Sequence, residues 1–238
     1  VDIDVASEFR YREPPLDPRG MALFISQSGE TADTLASLRY CTMNAHPVSA
    51  LVNVEDSAIA REAAVTWPLL AGPEIGVAST KAFTAQLAVL ACLALDAARE
   101  RQQLPAGEEA RLVRALAGVP RLLSQALQTD GDIQNVARSL ARASDVLYLG
   151  RGSSYPIALE GALKLKELSY IHAEGYAAGE LKHGPIALID EGTPVVVIAP
   201  SDPLFAKTLS NVQEVAARGA HVIALTDAAG ADQLREVA

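Results

Sequence analysis

Short, nearly continuous apolar runs alternate along the chain with longer stretches in which apolar residues recur every three or four positions. Residues 21–25 and 48–52 read as buried strands, and 66–70 as a weaker third whose Pro68 favours a sheet edge. Residues 146–149, 195–198 and 221–225 continue the series, and helical spacing over 31–40, 78–102, 132–143 and 156–170 fills the gaps. Runs that are apolar throughout, rather than alternating, belong to parallel strands covered on both faces. The pattern therefore predicts an α/β fold of doubly wound parallel sheets. A polar, arginine-rich stretch over 108–128 has helical spacing and no strand, and it follows a helix stop at Leu104-Pro105-Ala106-Gly107. This places a boundary there: a first domain over 1–107, a helical linker over 108–130 and a second domain over 131–238. The strand–helix pattern starts without a preceding helix and stops shortly after Leu225, so both domains are expected to be truncated.

Composition narrows the partners without naming one. Half of the 238 residues are hydrophobic and 21% are charged, which suits a packed globular core. The formal charge of −9 would repel nucleic acid and acidic lipid, so neither is expected as a partner. An anionic small molecule remains compatible, because backbone N–H groups and hydroxyls bind anions whatever the net charge. Of the two cysteines, Cys41 and Cys92, the latter sits in the run Leu90-Ala91-Cys92-Leu93-Ala94 and reads as a small buried thiol. Neither has a Cys-x-x-Cys or Cys/His setting, and no His/Asp/Glu spacing suggests a metal site. No uninterrupted apolar stretch reaches bilayer length and no signal-peptide pattern opens the chain, so it reads as cytoplasmic.

The sharpest local signal is Ile25-Ser26-Gln27-Ser28-Gly29-Glu30-Thr31, where a strand passes through small hydroxylated residues and a glycine into a helix. Free N–H groups and the positive end of the helix dipole meet at such a junction, and Gly29 lets the backbone approach a ligand. A phosphate monoester fits it; a nucleoside triphosphate does not, since no Gly-Lys-Ser/Thr follows. The same residues also suit a plain strand-to-helix turn with Ser26 or Ser28 as cap, and physics alone leaves both readings open. Gly150-Arg151-Gly152-Ser153-Ser154 is a similar junction, but Tyr155 stands where a dinucleotide fingerprint needs its third glycine, so it reads as a turn.

Beyond it, Glu160, Lys164 and Glu167 fall on one helix face at i, i+4, i+7. Such a stripe is commonly a solvated set of ion pairs. A helix that opens at a ligand loop should instead border the cleft with its first turns, where a carboxylate beside a lysine could move a proton between carbons. His183, before Gly184-Pro185, reads as an imidazole presented on a loop, with an ordinary pKa of about 6.5 that suits acid–base work. His172 reads as structural.

Together Ser26-Gln27-Ser28-Gly29-Glu30-Thr31-Ala32-Asp33-Thr34, Glu74-Ile75-Gly76-Val77-Ala78-Ser79-Thr80-Lys81-Ala82-Phe83, Gly150-Arg151-Gly152 and the block from Tyr155 to Pro185 resemble the sugar isomerase (SIS) half of the glucosamine-6-phosphate synthase family. The resemblance covers nearly the whole chain. It implies two SIS domains, with Ser26, Gln27, Ser28 and Thr31 on the phosphate of fructose 6-phosphate, Val77 and Ser79 lining the sugar, and Glu160 within the substrate-binding set. It further implies that Glu167, beside Lys164, carries a proton between C1 and C2 of the open-chain imine on the way to glucosamine 6-phosphate. His183 would promote ring opening from across a homodimer interface. No cofactor is implied.

The family's glutaminase domain, its first Gly-Thr-Ser phosphate loop and its carboxy-terminal Schiff-base lysine have no counterpart among these residues. The chain is therefore expected not to use glutamine. Two alternatives stand beside this reading. One is a free-standing SIS glucosamine-6-phosphate deaminase or phosphosugar isomerase; the other is a non-catalytic phosphosugar sensor, against which the presence of Glu167 and His183 speaks.

Overall fold

A computed structural model describes residues 1–235. The chain folds as two compact units, Val1–Val119 and Pro120–Ala238. The division falls inside the stretch expected to be a helical linker.

The first unit runs α1 (Ala6–Arg12), β1 (Ala22–Ser26), α2 (Ala32–Met43), β2 (Val48–Val52), α3 (Ala58–Glu62), β3 (Val65–Pro68) and α4 (Lys81–Glu100), after which α5 (Glu108–Ala126) spans the division. Its three strands are parallel in the order β1-β2-β3, so the proline-ending strand lies at an edge, where a missing N–H costs no ladder bond. Every residue of β2 is buried. Val48, Ala50 and Val52 point to one face and pack with Leu38 and Cys41 of α2 and Ile59 of α3, as the two-residue period of a strand requires.

The second unit runs α6 (Asp130–Leu140), β4 (Asp145–Gly150), α7 (Ser154–Ser169), β5 (His172–Ala177), β6 (Pro194–Ile198), α8 (Phe205–Ala216), β7 (His221–Leu225) and α9 (Ala228–Leu234). All four strands are parallel, in the order β5-β4-β6-β7. Here both sheet faces are covered, and strand alternation shows how. Leu147, Leu149, Val195 and Val197 face α8, packing with Val212 and Val215. Val146, Tyr148 and Val196 face the other way, toward Leu140 of α6 and Ala162 of α7. The expected parallel, doubly wound arrangement is thus present in this unit.

Three expectations need correction. Strand β5 was not predicted: only its Ala173 is buried, and His172, Glu174 and Gly175 interrupt any apolar run. It forms because it is an edge strand paired to β4 along its whole length. Gly175 is required there, since a Cβ would stand 2.8 Å from the Leu159 Cα of α7. Cys92 is exposed and Cys41 is the buried thiol; among the residues of α4 only Ala82 is fully buried, so an apolar sequence run did not mean a buried one. By length and average composition α4 is also sufficient to cross a membrane, although Thr84, Gln86 and Asp96 punctuate its apolar run.

Asp227 ties two strand ends together. It accepts hydrogen bonds from the Ser201 N–H and hydroxyl, each at 2.7 Å, and from the Ala229 and Gly230 N–H groups that open α9. These donors, the Ser201 N–H foremost, hold its carboxyl down at about 2 against an ordinary 3.8. A depressed folded-state pKa stabilises the fold fully above the ordinary value and ceases to do so as pH falls toward the folded one. Asp227→Asn should therefore flatten the acid limb of stability between about pH 4 and pH 2, read by thermal unfolding across pH. Gly175→Ala should cost about 1–3 kcal/mol by forcing β5 from α7, measurable by urea denaturation.

Candidate active site

Strand β1 ends at Ser26, the chain turns over residues 27–31, and α2 begins at Ala32 with Thr31 as its N-cap. The turn depends on Gly29, whose φ of +67° is a left-handed conformation that glycine adopts without a Cβ penalty. Space demands glycine as well, because a Cβ would lie 1.9 Å from the Ser57 hydroxyl. The Gly29 N–H donates to Ser26 Oγ at 3.1 Å, and the Glu30 N–H to Ser28 Oγ at 3.2 Å. Ser26 Oγ is also 3.1 Å from Thr31 Oγ1. From outside, the Ile59 N–H donates to the Gly29 carbonyl at 3.0 Å, and the Glu30 carboxylate accepts the Ala58 N–H at 2.7 Å. Ser26 is buried, Gln27 and Ser28 are partly exposed, and Thr31 is exposed.

The first hydrogen bond inside α2 runs from the Leu35 N–H to the Thr31 carbonyl, and Thr31 makes no side-chain cap. The N–H groups of the first turn are therefore available to an anion, which neither serine is placed to cap. The loop from β3 to α4 leaves the same, carboxyl end of this parallel sheet. It carries Val77, whose side chain is largely exposed, and Ser79, partly buried just before α4. Glu74 from this loop accepts the Ala82 N–H at 3.0 Å in the first turn of α4.

In the second unit, Lys164 lies between two carboxylates of α7, 2.6 Å from Glu167 Oε2 and 3.5 Å from Glu160 Oε1. The three side chains are 22–31% exposed, so this is a half-sunken cluster rather than a fully solvated stripe. Burial disfavours the Lys164 charge, but the hydrogen bond to Glu167 and the two negative charges outweigh it and hold the ammonium above its ordinary value. Lys164 therefore stays cationic through the neutral range.

The cluster begins at Glu160, six residues and about 9 Å along the helix from Ser154. Glu167 is thirteen residues from Ser154, about 20 Å along the helix. The turn at the start of α7 is tightly packed at its glycine backbone, although Gly152 and Ser153 are exposed. Gly150 abuts the first turn of α7, a Cβ on Gly152 would stand 2.7 Å from Leu204, and the Arg151 guanidinium donates to Asn211 at 3.0 Å.

His183 is the last residue of a 3-10 turn over Ala178–His183, not part of an irregular loop. Buried Ala178 and Leu181 pin that turn to the core, and Lys182 pairs with Glu214 of α8 at 2.9 Å. The imidazole is exposed, and among the described residues it makes no hydrogen bond or ion pair with Glu160, Lys164 or Glu167. His172 lies at the opposite, amino end of the sheet, 3.0 Å from Asp145 and 3.5 Å from Glu174. It lines a cavity of about 750 Å³ that contains none of the residues singled out as site residues from the sequence. No group of three or more metal-ligating side chains occurs among the described residues.

A SIS domain model matches residues 1–96 and 139–236. The chain belongs to the SIS domain family. Within that family it is 64% identical over 232 residues to a glutamine–fructose-6-phosphate aminotransferase (isomerizing) of Rhizobium meliloti, covering 97% of this chain and 38% of that protein. A protein of the same description from Bradyrhizobium diazoefficiens is 64% identical over 233 residues, or 98% of this chain and again 38% of the relative. The SIS chain thus spans little more than a third of the curated relatives it matches. Among solved structures, the C-terminal domain of glucosamine-fructose-6-phosphate aminotransferase from Francisella tularensis superposes with a TM-score of 0.95 at 45% identity, over 98% of this chain and 65% of that one. A glucosamine-6-phosphate deaminase from Thermotoga maritima shares the fold, with a TM-score of 0.76 at 24% identity over 92% of this chain and 65% of that one.

Gly29→Ala should destabilise the SIS chain by about 2–4 kcal/mol, through a left-handed alanine and a collision with Ser57. Ser57→Gly added to it should recover part of the loss in urea denaturation.

Proposed function

We propose that this chain is the sugar-phosphate isomerase part of a glucosamine-6-phosphate synthase, taking fructose 6-phosphate and ammonia to glucosamine 6-phosphate. The observation that carries the reading is the 64% identity, across nearly all of the chain, to proteins described as isomerizing glutamine–fructose-6-phosphate aminotransferases. The identity favours a synthase over a deaminase, for which the 24% likeness supplies fold alone.

In this reading the uncapped start of α2, with the Ser28 and Thr31 hydroxyls, receives the phosphate; Ser26 and Gln27 complete that turn, and Val77 and Ser79 line the sugar. Ring opening exposes the C2 ketone, and His183 is the acid–base group assigned to it. Ammonia condenses at C2 with loss of water to give the imine. Glu167 then takes a proton from C1 and returns one to C2, so that C1 becomes the aldehyde and C2 carries the amine. Lys164, hydrogen-bonded to Glu167 at 2.6 Å, sets a positive charge beside it, and Glu160 on its other side contributes to substrate binding. We further assign His183 to the site of a neighbouring subunit in a homodimer. Ammonia comes from a glutaminase domain of the full-length polypeptide, in the cytoplasm.

The test is calorimetry of fructose 6-phosphate and glucosamine 6-phosphate on the full-length polypeptide, with an isomerisation assay on the same sample. Glu167→Gln should bind both sugars within about threefold of wild type and lose about 10²–10⁴ in turnover. Full turnover in that variant would remove Glu167 from the mechanism, and indifference of the intact protein to both sugars would remove the function itself.

A further inference from the structure

Asn53 follows β2 directly and reaches into the loops on either side of it. Its backbone N–H donates to the Gln27 carbonyl at 3.1 Å, in the turn after β1. Its side-chain amide does two things in the loop after β3: Nδ2 donates to the Gly72 carbonyl at 2.7 Å, and Oδ1 accepts the Ala71 N–H at 3.0 Å. One residue thus closes three hydrogen bonds, two of them with a group that must offer a donor and an acceptor side by side. Asparagine has that pair and aspartate does not.

The segment it holds takes a backbone course that costs energy, and its other side-chain anchor, the Glu74–Ala82 hydrogen bond, lies at the far end by α4. Leu70 has φ +54° and Gly72 φ +67°, so the chain reverses through two left-handed residues within three positions. A left-handed leucine costs roughly 1–2 kcal/mol unless its surroundings impose it. The loop has no regular structure before α4 begins at Lys81. Asn53 is therefore placed to set where residues 73–80 leave the sheet.

We propose that Asn53 is a positioning residue that couples the phosphate turn, residues 26–31, to the loop carrying Val77 and Ser79, and so sets the distance between phosphate and sugar recognition. The inference rests on the functional reading above, in which these two loops contact the two ends of one substrate. It makes Asn53 a determinant of sugar-phosphate length, acting through the spacing of the two loops it bonds.

A merely structural role and a positioning role differ in what they do to two ligands. Inorganic phosphate needs only the first turn, whereas fructose 6-phosphate needs both. In calorimetry on the full-length protein, Asn53→Ala should weaken fructose 6-phosphate by about tenfold, the equivalent of one to two lost hydrogen bonds, and leave inorganic phosphate within about twofold. Asn53→Asp should resemble it, because a carboxylate cannot donate to the Gly72 carbonyl. Hydrogen exchange at the Ala71 amide should accelerate in both variants without any ligand.

Gly72→Ala provides a second route that leaves Asn53 in place. A Cβ there meets no atom within 4 Å, so only the left-handed backbone is penalised, and the same selective loss of fructose 6-phosphate should appear. Equal loss of both ligands, or no loss of either, in variants whose Ala71 amide has become unprotected would overturn the proposal. An unchanged Ala71 amide in Asn53→Ala would overturn the clamp itself. A wild-type protein that binds neither ligand would instead remove the functional reading, and this inference with it.

Discussion

The first unit is organised around the contact between Gly29 and Ser57. Because the chain at Gly29 turns left-handed and lies flat against the serine that opens α3, β1 can hand over to α2 within five residues. The hydroxyls of Ser26 and Ser28 are then drawn into the turn, where they receive the N–H groups of Gly29 and Glu30. Among the described residues the N–H groups of the first turn of α2 have no hydrogen-bond partner, and they stand at the carboxyl edge of the sheet with the helix dipole pointing outward. A helix start of this kind can receive an anion without basic side chains, so a net charge of −9 does not oppose the phosphate proposed for it.

The second unit contributes chemistry of a different type from a different surface. Its charged cluster is half buried along the side of α7, and Lys164 is the member whose protonation the surroundings reinforce. The proposed function divides holding from reacting between the two units. One unit offers fixed backbone dipoles that suit a constant charge, and the other carries the side chains to which that reading assigns proton transfer.

Much of this was legible from residue order, for identifiable reasons. Strands Val48–Val52 and His221–Leu225 coincide with their apolar runs because β-branched and aliphatic residues there meet helices or neighbouring strands. The turn after β1 was legible because hydroxyls and glycine between a strand and a helix have few other uses. Strand β5 was not, because its partner β4 and the close approach of Leu159 create it, and neither is local to His172–Ala177. Nor was Asn53, which looks like any polar residue after a strand; its side-chain partners lie 18 and 19 positions away. Exposure of α4 escaped for the opposite reason: composition reports how apolar a helix is, not what lies against it.

The packing of Leu204 onto Gly152 has a practical corollary. In open parallel sheets, the gap where strand order reverses is the habitual berth for small molecules, and in the second unit that gap lies between the carboxyl ends of β4 and β6. Here Leu204 lies against Gly152 and the Arg151 guanidinium donates to Asn211 of α8, while Gly152 and Ser153 stay exposed. Inhibitor searches guided by topology would begin beside that leucine and guanidinium, whereas the flank of α7 offers an ammonium wedged between two carboxylates within reach of solvent.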